Sequence, residues 1–265
     1  MSAQKKRKKS KWNKFFQKNK KTIIGIISIL LVVLCTAFPE IPAKFEELTG
    51  IDLGFDLDET GAPVALGKFD VNQIPKYSGD PYVVVNNNVP YFTEDELTDE
   101  SYEFYSELDE LGRCGVCIAS VGIDIMPTEK RESIGSVIPT GWKNKKYQGL
   151  VDGDYLYNRC HLIGFQLTGE NANKRNLITG TRYLNIEGML SFENMIADYV
   201  KETKNHVMFR VTPIFEGNNL LASGVLMEAK SVEDNGEGVL FNVYCYNVQP
   251  KVYIDYATGE NELAS

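Results

Sequence analysis

One of the chain's two histidines, His161, stands in the stretch "YNRCHLIGFQL", two residues after Arg159. A lone histidine in an apolar run is more often a satisfied core side chain, so other residues must carry any chemical reading. An imidazole with an ordinary pKa of about 6.5 can take a proton from water near neutral pH. Arg159 is a fixed positive group able to hold phosphate oxygens. Further along, Asn185 opens a helical pattern and Glu193 follows eight residues later. At about 100° per residue the two lie about 80° apart, with Met189 between them on the same side. An amide, a carboxylate and a histidine together suit a hard cation beside a general base. Mg²⁺ prefers oxygen ligands and keeps most of its waters, so one or two protein oxygens suffice, and the Asn185 amide carbonyl can be one of them. A cation stabilises the transition state and leaving oxygen of a displacement at phosphorus. The chemistry implied is phosphodiester hydrolysis.

The surrounding pattern predicts how these residues are held. "YNRCHLIGFQLTG" (157–169) reads as a strand into a loop, and "NANKRNLITGTRYLN" as a loop with a short strand. "NIEGMLSFENMIADYVKETK" reads as a helix, with Ile186, Met189, Leu190, Met195, Ile196, Tyr199 and Val200 recurring at three- and four-residue steps. Upstream, "DPYVVVNNNVPYF" predicts strand, turn and short strand, the turn at Asn86 to Asn88. "TEDELTDESYEFYSELDELGRCG" predicts helix in places, with a capping box from Thr93 and Glu96. "CGVCIASVGIDI" predicts a strand. The C-terminal third alternates in strand fashion, with turns at Gly217–Asn218 and Asn235–Gly236. The expected class is α+β, a mostly antiparallel sheet with inserted helices.

Residues 1–21 hold ten Lys or Arg and no acid. They leave 18 basic residues to face all 36 acidic ones, so the remainder is markedly acidic, which argues against a general polyanion binder. Residues 22–38 form an uncharged apolar run of 17, at the short end for a membrane span. The lysines before it place the N-terminus in the cytoplasm and the rest outside. A cleaved signal peptide is the alternative, weakened by a poor small-x-small site after the run. The expected layout is a basic cytoplasmic segment (1–21), a transmembrane signal anchor (22–38), a linker (39–73) and a catalytic domain (74–265). Cys114 and Cys117 make a lone CxxC, so a four-thiolate zinc site has little support. Three apart in a strand, they point to opposite faces, which disfavours a bond between them. Buried thiols are the plainer expectation. His206, past the helix, reads as structural.

The ordered set "NRCH" (158–161), "NLITGTRYLN" (176–185) and "GMLSFE" ending at Glu193 resembles the DNA/RNA non-specific endonucleases of the ββα-metal fold, especially membrane-anchored DNA-entry nucleases. The resemblance runs from about Ile74 to Tyr256. It implies His161 as general base, Asn185 as the Mg²⁺ ligand (Mn²⁺ able to substitute) and Glu193 as an outer-sphere carboxylate. It further implies Arg159 beside the scissile phosphate or buttressing the site, with Asn176 as a supporting residue. Lys130, Arg131 and Arg182 are candidates for phosphate contacts. The implied activity is sequence-independent hydrolysis of DNA, and of RNA as a further substrate, on the outer side of the membrane.

The family motif is Asp-Arg-Gly-His, so Asn158 and Cys160 depart from it. Asn158 brings no negative charge. Cys160 would be strained if the position required a positive φ. A surface nucleic-acid-binding module with an impaired site is therefore the alternative reading, and a toxin-type domain a more distant one.

Overall fold

The computed structural model describes residues 69–264. The segments 1–21 and 22–38, and most of the expected linker, lie outside the described residues. Among the described residues no helix is long and apolar enough to cross a membrane.

Six antiparallel strands form the main sheet, in the order β1-β8-β7-β6-β3-β2. They are β1 (Tyr82–Val84), β2 (Tyr102–Tyr105), β3 (Cys117–Val121), β6 (Val207–Ile214), β7 (Gly224–Ser231) and β8 (Leu240–Tyr246). Strands β4 (Tyr157–His161) and β5 (Leu177–Thr181) make a separate antiparallel pair, as do β9 (Val252–Ile254) and β10 (Asn261–Leu263). The helices are the four-residue α1 (Phe165–Thr168) and the longer α2 (Leu190–Thr203), entered through a π-helical stretch, Leu184–Met189. The class is α+β with a mostly antiparallel sheet, as expected.

Period-two alternation decides which face of the sheet is the core. Val207, Phe209 and Val211 of β6, Val225, Met227 and Ala229 of β7, and Phe241, Val243 and Cys245 of β8 point to one side. Phe192, Ile196 and Val200 of α2, at four-residue steps, pack against them. Each such side chain, fully buried, contributes about 1.5–3 kcal/mol. The opposite face of β6 and β7 holds a charged pair. Arg210 donates to both carboxylate oxygens of Glu228 at 2.9 and 3.1 Å, from directly across the ladder. Its guanidinium also stacks on Phe92.

Three local expectations change. No strand forms at 89–92: Asn86, Asn87 and Asn88 all take positive φ, a left-handed turn asparagine tolerates, and the chain leaves the sheet there. The acidic stretch is barely helical. The Thr93–Glu96 capping box closes only one 3-10 turn, and Tyr102–Tyr105 extends as β2 because it pairs with β3. On the long helix, Met195 is largely exposed while Phe192 and Ala197 are buried. Cys114, Cys117, Cys160 and Cys245 are free and buried. Desolvation pushes the Cys114 thiol up to about 11 and raises the other three as well. His206 donates its backbone N–H to Glu233, and its Nδ1 lies 2.8 Å from the same carboxylate, a structural role.

Candidate active site

A cleft of about 930 Å³ runs along β4 and the start of the long helix. The β4–β5 ladder positions its floor, with His161 opposite Leu177 at the end of the register. Asn176, 0% exposed, extends the ladder by one step. Its carbonyl accepts from Leu162 N–H at 2.9 Å, its side-chain oxygen accepts from Ile163 N–H, and its amide donates to Ile163 C=O. The strand end bearing His161 is thereby pinned from both sides. At the far end of β5, Thr181 Oγ1 accepts from Leu184 N–H at 2.9 Å and donates to Val248 C=O. That bond starts the helix one residue before Asn185. The β4–β5 pair, with α1 in the connection between its strands, and the helix that follows β5 therefore fix the histidine, the asparagine and Glu193.

His161 is 6% exposed. Its Nε2 lies 2.8 Å from the carbonyl oxygen of Asn171. A carbonyl only accepts, so Nε2 carries the proton and Nδ1 keeps its lone pair. Nδ1 lies 3.4 Å from an Arg131 guanidinium nitrogen. Burial lowers the His161 pKa, the Asn171 bond works against that, and the Arg131 charge lowers it further. The imidazole is thus held neutral, in the one tautomer that can accept a proton at Nδ1.

Glu193 also lines the cleft, partly buried. Burial pushes its carboxyl up to about 7, against the pull of Arg131 and of the Gly164 N–H it accepts from. Gly164 is a site residue that the sequence reading missed. A Cβ there would lie 2.8 Å from the Glu193 carboxylate carbon and both its oxygens. Its signal was only a glycine three residues after the histidine, which many turns share.

Asn185 lines the same cleft, and among the described residues its amide makes no hydrogen bond to the protein. No group of three or more His, Cys, Asp or Glu side chains able to hold a metal occurs among the described residues. A free amide oxygen lining the same cleft as a carboxylate fits a hard divalent cation that keeps most of its waters, and does not fit a thiolate or multi-histidine cage. The π turn changes which helix residues face the site, because a π turn is wider than an α turn. Met189 is 1% exposed, in the core as its place in the apolar repeat predicts, while Ile186 and Leu190 of the same repeat line the cleft.

The arginines divide. Arg131 and Arg182 line the cleft, and Arg182 binds the Asp152 carboxylate at 2.7 Å and Asn158 Oδ1 at 3.3 Å. Arg159 also lines it, but donates to the carbonyls of Val137 and Gly135 and stacks on Trp142 at 4.4 Å. Its guanidinium buttresses the 135–137 loop. Lys130 is not brought to the cleft. It lines a smaller neighbouring pocket together with Thr128, Glu129 and Glu132. Asn176 is likewise a positioning residue, its amide wholly committed to the Ile163 backbone.

A conserved-domain model described as DNA/RNA non-specific endonuclease matches residues 90–233, more than half of the chain, and the chain belongs to that family. A deoxyribonuclease from Streptococcus dysgalactiae subsp. equisimilis is 31% identical over 131 residues, 46% of this chain and 36% of that protein. The chain thus matches about a third of that relative's length. Among solved structures, NucA from Streptococcus agalactiae with magnesium bound has a TM-score of 0.59 at 24% identity, covering 67% of this chain and 85% of NucA. Sda1 nuclease with bound zinc has a TM-score of 0.58 at 26% identity, covering 70% of this chain and 97% of Sda1. These likenesses agree with the α+β architecture.

Proposed function

We propose that the chain is a metal-dependent, sequence-non-specific endonuclease that hydrolyses phosphodiester bonds of DNA, with RNA as a further substrate. The observation that carries this reading is the tautomer of His161. With Nε2 committed to the Asn171 carbonyl, the bare Nδ1 lies in a cleft also lined by Asn185, Glu193 and Arg131. His161 Nδ1 takes the proton of the attacking water, and the Asn171 carbonyl stabilises the imidazolium through Nε2–H. Arg131, exposed and within reach of Nδ1, trades that contact for a phosphate oxygen. Arg182 supplies further positive charge at the cleft, and Arg159 keeps the loop above it in place.

The cation expected is Mg²⁺, with Mn²⁺ able to substitute, held by the Asn185 amide oxygen and, through water, by Glu193. When bound it supplies charge that stabilises the pentacovalent transition state and the leaving oxygen. The magnesium-bound NucA structure and the chemistry of the donor set support this choice. Sequence-independent substrate contact follows from a cleft whose charged groups meet phosphates rather than base edges. The apolar segment 22–38, with the lysines before it, supports a membrane-held enzyme acting outside the cell.

The test is plasmid DNA incubated with the purified full-length chain and Mg²⁺, with EDTA and His161→Ala as controls. Degradation abolished by both controls is expected. DNA that survives folded protein across metals, salt and pH would leave a binding module as the better reading.

A further inference from the structure

Four aromatic residues line the cleft: Trp142, Tyr155, Tyr157 and Phe165. Tyr157 is buried, Trp142 and Phe165 are partly buried, and Trp142 is already covered by Arg159. Tyr155 differs, being 49% exposed. It is also held rigidly. Tyr155 and Lys146 face each other across a β-bridge, flanked by Tyr147 N–H to Asp154 C=O at 2.7 Å and Leu156 N–H to Lys145 C=O at 3.0 Å. Across this small ladder the Lys146 ammonium stands 4.7 Å from the centre of the Tyr155 ring. The Lys146 ammonium does not itself line the cleft, whereas Tyr155 does. The nearby Asp152 carboxylate is paired with Arg182, which limits its repulsion of a polyanion.

We propose that Tyr155, backed by Lys146, is a base-stacking platform that grips single-stranded nucleic acid. The proposal rests on the nuclease reading of the cleft and adds a substrate preference to it. A duplex keeps its base faces stacked on one another, so only an unpaired or frayed strand can offer a face to the ring. Every base has such a face, so the grip is sequence-tolerant, as a non-specific enzyme needs. The ammonium beside the ring adds a positive charge near the strand. Tyr155 precedes His161 by six residues, at most about 20 Å of chain. The platform therefore holds a base within a few nucleotides of the reacting phosphate.

The test uses the full-length chain carrying His161→Ala, so that probes are bound and not cut. Fluorescence anisotropy would follow a labelled short oligothymidylate and a labelled hairpin duplex. Adding Tyr155→Ala should weaken oligothymidylate binding about tenfold and leave duplex binding within about twofold, while Tyr155→Phe should keep both. Tyr155→Leu, apolar but without a π face, should behave as alanine does. Equal weakening of both probes, no change in either, or no single-strand binding at all would overturn the proposal. Plasmid cleavage by the chain with His161 intact, run in parallel, tests the nuclease reading separately. An intact stacking signature without cleavage would mark a single-strand binder that does not cut.

Discussion

Gly180 has no side chain where the sulfur of Cys160 lies. A Cβ there would fall far inside van der Waals contact with Cys160 Sγ and 3.2 Å from Leu184 Cδ2. The two residues sit on neighbouring strands, β4 and β5, two residues away from direct opposition, since Cys160 faces Ile178 and Gly180 faces Asn158. Cys160 is fully buried and has no positive φ, so a side chain at this motif position strains no backbone. Gly180→Ala should therefore destabilise the domain by about 1–3 kcal/mol through overpacking. Cys160→Gly should also cost stability, by lost burial and strand entropy. The double variant should recover part of the Gly180→Ala loss. A urea-denaturation double-mutant cycle checks this, and strict additivity would show that the two positions do not share the space.

Gly164 is expected to matter more for turnover than for folding. An added methyl at this position meets the Glu193 carboxylate at 2.8 Å, and that carboxylate is the flexible end of its side chain. The chain can fold by moving Glu193 aside. Gly164→Ala should lower kcat about 10- to 100-fold, as disturbed outer-sphere partners of metal sites do, with a melting temperature close to that of the parent. Mg²⁺ titrations of activity alongside thermal melts separate the two effects. A large loss of stability with normal turnover would refute the assignment.

The acid limb of the pH profile should report His161. Its folded-state pKa is lowered, chiefly by burial and further by Arg131, so on the proposed mechanism the imidazole should stay neutral, and activity should persist, to a pH below 6.5. Arg131→Ala removes one lowering influence and should move the limb in kcat upward towards that value. The same shift has a stability consequence. The unfolded chain binds the His161 proton more readily than the folded one, so this contribution is fully present above the unfolded value of about 6.5 and is lost as pH falls through the folded value. An acid limb unmoved by Arg131→Ala would sever the coupling between the two side chains.

How much of this was legible beforehand depends on the kind of interaction. His161 on a strand end, Asn185 and Glu193 on one helix, and the strand alternation of 207–246 are periodicity and spacing, which a sequence displays directly. The π turn at Leu184–Met189 was not legible in the apolar periodicity, which is the same for an α turn; it begins at the Leu184 N–H that Thr181 Oγ1 holds. Met189 lies in the core as its place in the apolar repeat predicts, while Ile186 of the same repeat lines the cleft. Arg131 and Lys130 look alike in sequence, and only the path of their loop puts one at His161 and the other in a neighbouring pocket. Tyr102–Tyr105 became a strand because β3 was there to pair with it, a long-range fact that the acidic composition concealed.

Asn176 offers the sharpest test of whether the histidine must be pinned. Its side chain is fully buried and uses both ends on one residue, accepting from Ile163 N–H and donating to Ile163 C=O, each at 2.9 Å. No other side chain of that length carries a donor and an acceptor side by side. Asn176→Asp keeps the acceptor but sets a carboxylate oxygen against the Ile163 carbonyl, so it must either take up a proton or repel. Asn176→Ala leaves two buried backbone groups without partners, at about 1–3 kcal/mol each. Both variants should lose stability. The aspartate variant should regain part of it as pH falls, because a protonated acid can again donate to the carbonyl. The alanine variant has no such group to titrate at this position. In both, the loosened Ile163 turn lies two residues from His161, so kcat should fall further than KM rises. Urea titrations at neutral and mildly acidic pH, paired with steady-state kinetics, read out each part. Equal pH responses from the two variants would mean that the amide does not hold the turn in the way its two hydrogen bonds indicate.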